Sequence, residues 1–290
     1  NFIIQSRSKL FVIRDPHGIR PLSLGKLRSG GWIIASETCC FDLVDAEFVR
    51  DVLPGEMLIF SKDFEEPESI MLDDTKEFRP CAFEYIYFAR PDSDIDGKNV
   101  YATREAMGRA LAQNDKALLD ADMVIPVPDS GVPSALGYAK ESGIPFELGI
   151  IRNHYVGRTF IEPTQAMRNM KVKMKLSPMK SLIDGKKLVV IDDSVVRGTT
   201  SKRIVKMLKD AGAAEVHFRV ASPMIKYPCF YGIDTPTKEE LINAMKSKDE
   251  VQEYIEADSL EYLSIDDLKG ALGRDRKYSL VSFDGDYFVA

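Results

Sequence analysis

Residues 187–205 read KLVVIDDSVVRGTTSKRIV: an apolar, β-branched run, two adjacent aspartates, a Gly-Thr-Thr turn and a basic amphipathic stretch. Strand, turn and helix in that order belong to a parallel α/β sheet, where ligands collect beyond the carboxyl ends of the strands. Asp192 and Asp193 therefore fall where a ligand binds. Two carboxylates held together repel unless something stands between them, and a Mg²⁺ ion or a sugar diol would satisfy both. Just downstream, Arg197, Gly198, Thr199, Thr200 and Ser201 supply a glycine that admits an anion to the backbone, hydroxyls, and the unpaired N–H groups of a helix starting near Ser201. Together these make a phosphate cradle. The plainer alternative is that Asp193 and Ser194 only cap the helix that follows.

Outward from this stretch, the 290 residues suffice for one large domain or two modest ones, and 44% hydrophobic content implies a sizeable core. The formal charge of −6 carries no long block of one sign, which argues against nucleic acid or an anionic membrane as partner. Any anionic ligand must be held locally. No apolar run approaches the ~18 residues of a membrane span, and the N-terminus lacks a signal-peptide pattern, so the expected location is cytoplasmic. Four cysteines without a C-x-x-C pair point to reduced thiols.

Residues 1–75 are rich in strand-like runs (KLFVIRD, PLSLGKL, GWIIASE, GEMLIFS) separated by Gly, Pro and Asp turns, an antiparallel pattern. Residues 2–4 and 10–13 suggest a hairpin at the very start, and because no earlier strand precedes it the chain is expected to be a fragment. From about Arg79 strands alternate with helical periods: helices near 99–113, 133–142 and 200–211, and strands at DMVIPVP, FELGII, 187–191 and VHFRVAS. This predicts a parallel sheet with helices on both faces. The organisation expected is 1–75 as one part and 76–290 as the other.

A second loop has the same topology. VIPVPDSGVPSALGYA runs a strand into Asp129, Ser130 and Gly131 and then into a helix with Pro133 in its first turn, offering hydroxyl and N–H groups to phosphate oxygens or Mg²⁺. Between the loops, Arg152–Pro178 carries six basic residues and one acid, Glu162; a stretch so long and aperiodic reads as a cationic lid over a polyanion. Of the three histidines, His17 reads as a turn residue, His217 as a strand residue, and only His154 lies in the lid.

These parts resemble the type I phosphoribosyltransferases, whose ligand is phosphoribosyl pyrophosphate (PRPP). The flanks CAFEYIYFARPDSDIDGKNVY, MKLSP and HFRVASPMIKYPCFYGIDTPTKEELI narrow the resemblance to the glutamine PRPP amidotransferase family, and residues 1–75 are similar to the later half of its N-terminal-nucleophile glutaminase domain. The resemblance implies an α/β type I phosphoribosyltransferase sheet preceded by an antiparallel, β-rich remnant of that glutaminase domain. It implies formation of phosphoribosylamine and pyrophosphate from PRPP and ammonia, derived from glutamine in the intact family, as the first step of purine synthesis. By the same resemblance Asp192 and Asp193 hold the ribose hydroxyls and Mg²⁺, and Arg197–Ser201 bind the 5-phosphate. Asp129, Ser130 and Gly131 form the pyrophosphate loop with Ser130 near the metal, Arg152 at the start of the lid binds PRPP as the lid orders over it, and Lys175 stabilises the departing pyrophosphate. Purine nucleotides are implied as feedback inhibitors and a homo-oligomer, a tetramer, as the assembly.

Two departures from the family pattern stand out. Its N-terminal cysteine nucleophile has no counterpart, so ammonia rather than glutamine is the expected nitrogen source for this chain. Close relatives carry a [4Fe–4S] cluster on four cysteines; Cys81 and Cys229 match two, whereas Ser279 and Ser282 stand at the others, so a cluster is not expected. A non-catalytic PRPP-binding regulator and a nucleobase salvage transferase are the competing readings. The former would not need Lys175 or a long lid, and the latter does not account for residues 1–75.

Overall fold

The computed structural model describes residues 1–63, 65–115, 120–153, 176–235 and 237–289. The chain divides into two compact units: Asn1–Thr103 with Leu272–Val281 and Asp286–Ala290, and Arg104–Ala271 with Ser282–Gly285.

The first unit is antiparallel. Strands β1 (Phe2–Gln5), β2 (Lys9–Ile13), β3 (Ser23–Leu27), β4 (Trp32–Ala35), β5 (Ala46–Asp51), β6 (Glu56–Ser61) and β7 (Glu68–Met71) form two sheets, ordered β1-β2-β6-β7 and β4-β3-β5. The short β8 (Asp94–Ile95) and β9 (Lys98–Asn99) pair as a hairpin. The N-terminal hairpin falls where the sequence places it, with Phe2 opposite Ile13. Val12, Leu22, Leu24, Val52 and Leu58 fill one core from both sheets. Beside it Arg14, 1% exposed, donates to the carbonyls of Gly18, Arg20 and Val52 and forms two 3.0 Å bonds to Asp96. All its donor directions are used, which is how a buried guanidinium becomes tolerable.

The second unit is built on β10 (Met123–Pro126), β13 (Lys187–Asp192), β14 (Glu215–Val220) and β15 (Ser259–Tyr262), parallel in that order. After Lys187, every residue of β13 is buried, so both of its faces are covered. That is the reason its sequence is a continuous apolar run rather than an alternation. Leu188 and Val190, with Val216 and Phe218 beside them, pack under Ile204, Val205 and Leu208 of the helix Thr199–Asp210. On the other face, Arg219 reaches Asp115 at the end of the helix Val100–Asn114, and the Tyr138 hydroxyl donates to the same carboxylate at 2.7 Å.

The expected strand FELGII forms only in part. Val124 makes a single bridge to Phe146, and β11 (Ile150–Arg152) turns away to pair antiparallel with β12 (Leu176–Pro178). Pro145 and Glu147 bracket the bridge, the former accepting from the Val124 N–H and the latter donating to its carbonyl, so parallel pairing is confined to one position.

The helices Val100–Asn114 and Val132–Ser142 cross at glycines. A Cβ at Gly108 would lie 1.8 Å from the Ser134 carbonyl oxygen, and one at Gly137 would lie 2.0 Å from that of Glu105. Backbone cannot retreat as a side chain can, so these positions fix the separation of the two helices. Gly108→Ala is expected to lower stability by about 3 kcal/mol, roughly 6–12 °C in melting temperature for a unit of this size. Gly270, in the helix Ile265–Leu272 with nothing near its Cβ position, is the control. Gly270→Ala should be neutral or stabilise by up to about 1 kcal/mol, and thermal denaturation of the two variants side by side checks both outcomes.

Candidate active site

β13 delivers Asp192 and Asp193 to the carboxyl edge of the parallel sheet, where both are buried, at 6% and 7% exposure. The Asp193 N–H donates to Asp192 Oδ1 at 3.0 Å, and the Ser194 hydroxyl donates to Asp193 Oδ1 at 2.5 Å. The helix Thr199–Asp210 is preceded by Gly198 without any side-chain cap, so Asp193 and Ser194 do not serve as its caps.

Burial pushes both carboxyls above the ordinary carboxylate range. For Asp192, raised well above it, the neighbouring Asp193 charge adds to the effect. For Asp193, hydrogen bonds from Ser130 and Ser194 and the nearby Arg104 guanidinium pull part of the way back. The Ser130 bond joins the two loops singled out in the sequence at a single carboxylate.

The first turn of the helix Thr199–Asp210 leaves its leading N–H groups without intrahelical acceptors. Thr199 and Thr200 are exposed there and Ser201 is buried. Gly198 is left-handed at φ 72°, so the turn demands glycine, and the Ile242 side chain packs close beside it. Arg197 is exposed and ion-paired with Glu240. In the second loop Arg152 pairs with Asp129, bringing the start of the segment read as a lid onto that loop. Gly131 spends its N–H on the Val127 carbonyl at 3.0 Å, so in this conformation it does not present that group to an anion. The peptide bond between Pro128 and Asp129 is cis.

Lys175, His154 and positions 154–175 of the lid lie outside the described residues. His17 sits in a turn, with its Nδ1 3.0 Å from the Glu77 carbonyl, and His217 lies between Glu215 and Ser259. Arg104, 2% exposed, was not singled out in the sequence. Its signal was available: Val100, Thr103, Met107, Gly108, Leu111 and Ala112 form the buried stripe of its helix, and Arg104 is the one charge on that stripe.

A Mg²⁺ ion suits this donor set. Mg²⁺ keeps several waters and takes one or two carboxylates together with substrate oxygens, so it needs no cage of protein ligands. Among the described residues no group of three or more His, Cys, Asp or Glu is arranged to hold a metal, and a buried pair of carboxylates with raised pKa is what a hydrated divalent ion would relieve. A [4Fe–4S] cluster does not suit the residues present. Cys81 runs beside Ser279, whose N–H donates to the Pro80 carbonyl, and Cys229 Sγ accepts from the Tyr231 N–H at 3.3 Å; serines, Ser279 and Ser282, stand in the sequence where the resemblance expects the other two thiols. Two thiols and two hydroxyls do not make a four-thiolate set.

A parallel sheet with an acidic pair beyond one strand, a glycine turn and a helix N-terminus is the arrangement of the type I phosphoribosyltransferase fold. The family described as phosphoribosyl transferase domain matches residues 97–226. Over its whole length the chain is 52% identical to the amidophosphoribosyltransferase of Rhizobium etli, of which it covers 59%, and 49% identical to amidophosphoribosyltransferase 1, chloroplastic, of Arabidopsis thaliana, of which it covers 50%. The solved structure of glutamine PRPP amidotransferase from B. subtilis complexed with ADP and GMP superimposes with a TM-score of 0.90 at 47% identity, covering 99% of this chain and 63% of that one. The chain is thus similar over its whole length to amidophosphoribosyltransferases, and it spans about half to three-fifths of the length of these curated relatives. Among the described residues no helix is long and apolar enough to cross a membrane.

The acidic pair predicts a pH signature. Because the fold favours the protonated carboxyl at these sites, the stability they contribute is present below the ordinary carboxylate range and is lost as pH rises through the raised values. At neutral pH the pair therefore destabilises the unliganded protein. Asp192→Asn should raise the melting temperature at neutral pH by roughly 2–4 °C, the equivalent of about 1 kcal/mol. The gain should shrink as pH falls toward about 5. A gain independent of pH, measured by calorimetry across that range, would assign it to something other than charge repulsion.

Proposed function

We propose that this chain is an amidophosphoribosyltransferase catalytic unit, which binds PRPP and replaces its pyrophosphate with ammonia to give phosphoribosylamine. The observation that carries the reading is the buried Asp192–Asp193 pair, tied through Ser130 to the second loop and followed by the helix N-terminus at Thr199. Whole-chain identity of about one half to amidophosphoribosyltransferases supports it and does not favour the regulator reading.

In this reading Asp192 and Asp193 hold the ribose diol and would hold Mg²⁺, which supplies charge neutralisation on the pyrophosphate when bound. Arg197, Gly198, Thr199, Thr200 and Ser201 take the 5-phosphate. Ser130 orients Asp193 and sits within reach of the metal, while Asp129 and Gly131 shape the pyrophosphate loop. Arg152 binds PRPP, and Lys175 stabilises the departing pyrophosphate. Breaking the bond at C1 of ribose builds positive charge on the ring. The buried carboxylates oppose that charge at fixed positions, and cations from the lid offset the negative charge that leaves. Residues 1–75 are read as the later part of a glutaminase-like domain and 76–290 as the transferase. Purine nucleotides as inhibitors and a homo-tetramer complete the reading; the B. subtilis relative was solved with ADP and GMP.

The test is pyrophosphate release from PRPP and Mg²⁺ with an ammonium salt at alkaline pH, where a useful share of the ammonium is unprotonated. Wild type should show ammonia-dependent release and calorimetric PRPP binding. Asp192→Asn combined with Asp193→Asn should abolish both, and Lys175→Ala should cut release about a hundredfold or more, the scale of losing one electrostatic contact to developing charge. Tight PRPP binding without release would instead favour a regulator.

A further inference from the structure

The loop between Asp193 and Gly198 is held by the short segment that begins at Ile242. The backbone N–H of Ile242 donates to the Val196 carbonyl at 2.9 Å, and Asn243 Nδ2 donates to the Val195 carbonyl at 3.3 Å. Asn243 Oδ1 in turn accepts from the Tyr262 hydroxyl at 3.0 Å, at the end of β15. Two successive carbonyls of the loop are thus tied to one short helix, Ile242–Met245, and that helix is tied to the sheet. Asn243 is 4% exposed, so water does not readily replace bonds lost there. The Ile242 side chain also closes the space beside Gly198. The Tyr262 side chain packs against the core of the unit, so its hydroxyl is held at a fixed place on the sheet.

We propose that Asn243 and Tyr262 are positioning residues for the phosphate end of the ligand. The relay from Tyr262 through Asn243 to Val195 sets the height of the loop, and with it the direction in which the N–H groups of Thr199, Thr200 and Ser201 point. A neutral amide suits the task because it donates to a carbonyl and accepts from a phenol at once, without bringing a charge beside the buried acidic pair. The inference rests on the phosphoribosyl reading for the ligand, and on hydrogen bonds alone for the loop.

The experiment compares amide hydrogen exchange across residues 193–202, together with calorimetric titration of PRPP and Mg²⁺, in the full chain and its Asn243→Ala and Tyr262→Phe variants. Loop amides should exchange about tenfold faster in Asn243→Ala and about threefold faster in Tyr262→Phe, with β13 and β14 unchanged and PRPP affinity falling by similar factors. Because the bonds act in series, the double variant should be no worse than Asn243→Ala alone. Unchanged loop exchange, acceleration spread evenly over the unit, or a faster loop with wild-type PRPP affinity would each overturn the proposal. Should Asn243→Ala fail to fold, Tyr262→Phe, which removes a single hydroxyl, decides by the same readings. A wild type that does not bind PRPP would refute the ligand reading, and the exchange arm would still decide whether the relay holds the loop.

Discussion

Two carboxylates on consecutive residues, both out of solvent at the end of a strand, are an arrangement that folding alone would avoid. Each buried charge costs solvation, and each raises the cost of the other. The neighbourhood softens the problem for Asp193, through Ser130, Ser194 and Arg104, but leaves Asp192 with little beyond the N–H of the next residue. The apo protein is therefore electrostatically frustrated at this point. The surrounding elements, a sheet buried on both faces and two helices crossing at glycines, are what keep such a site from relaxing.

Most of the framework was legible because local chemistry and global fold agree. β13 reads as a buried parallel strand since both faces are covered, and Thr199–Asp210 reads as a helix since Ile204, Val205 and Leu208 recur with its period. The N-terminal hairpin was legible for the same reason. β5 and β7 were not, because AEFVRD and ESIM mix charged and apolar residues on edge strands in which every residue is exposed or half-buried. There, pairing partners decide the structure, and pairing partners are distant in sequence.

The site was legible at its two loops and silent in its supports. Asp129, Ser130, Asp192, Asp193 and Gly198 belong to strand-to-helix turns that announce a ligand. Arg104 and Asn243 approach from helices, and their importance follows from which carboxylate or carbonyl they meet, a fact that exists only after the chain is folded. The Ser130 to Asp193 contact is intermediate. Both residues stood out, but their meeting could not be read from a separation of more than sixty positions.

The glycine crossing has one further consequence. Since main-chain atoms of the helices Val100–Asn114 and Val132–Ser142 stand where any side chain would have to go, the spacing between the loop at Asp129 and the cation at Arg104 is gauged by peptide geometry rather than by the volume of residues packed between them. The chemistry of the loops and the ruler that sets them apart thus rest on different atoms, side chains for the first and main chain for the second.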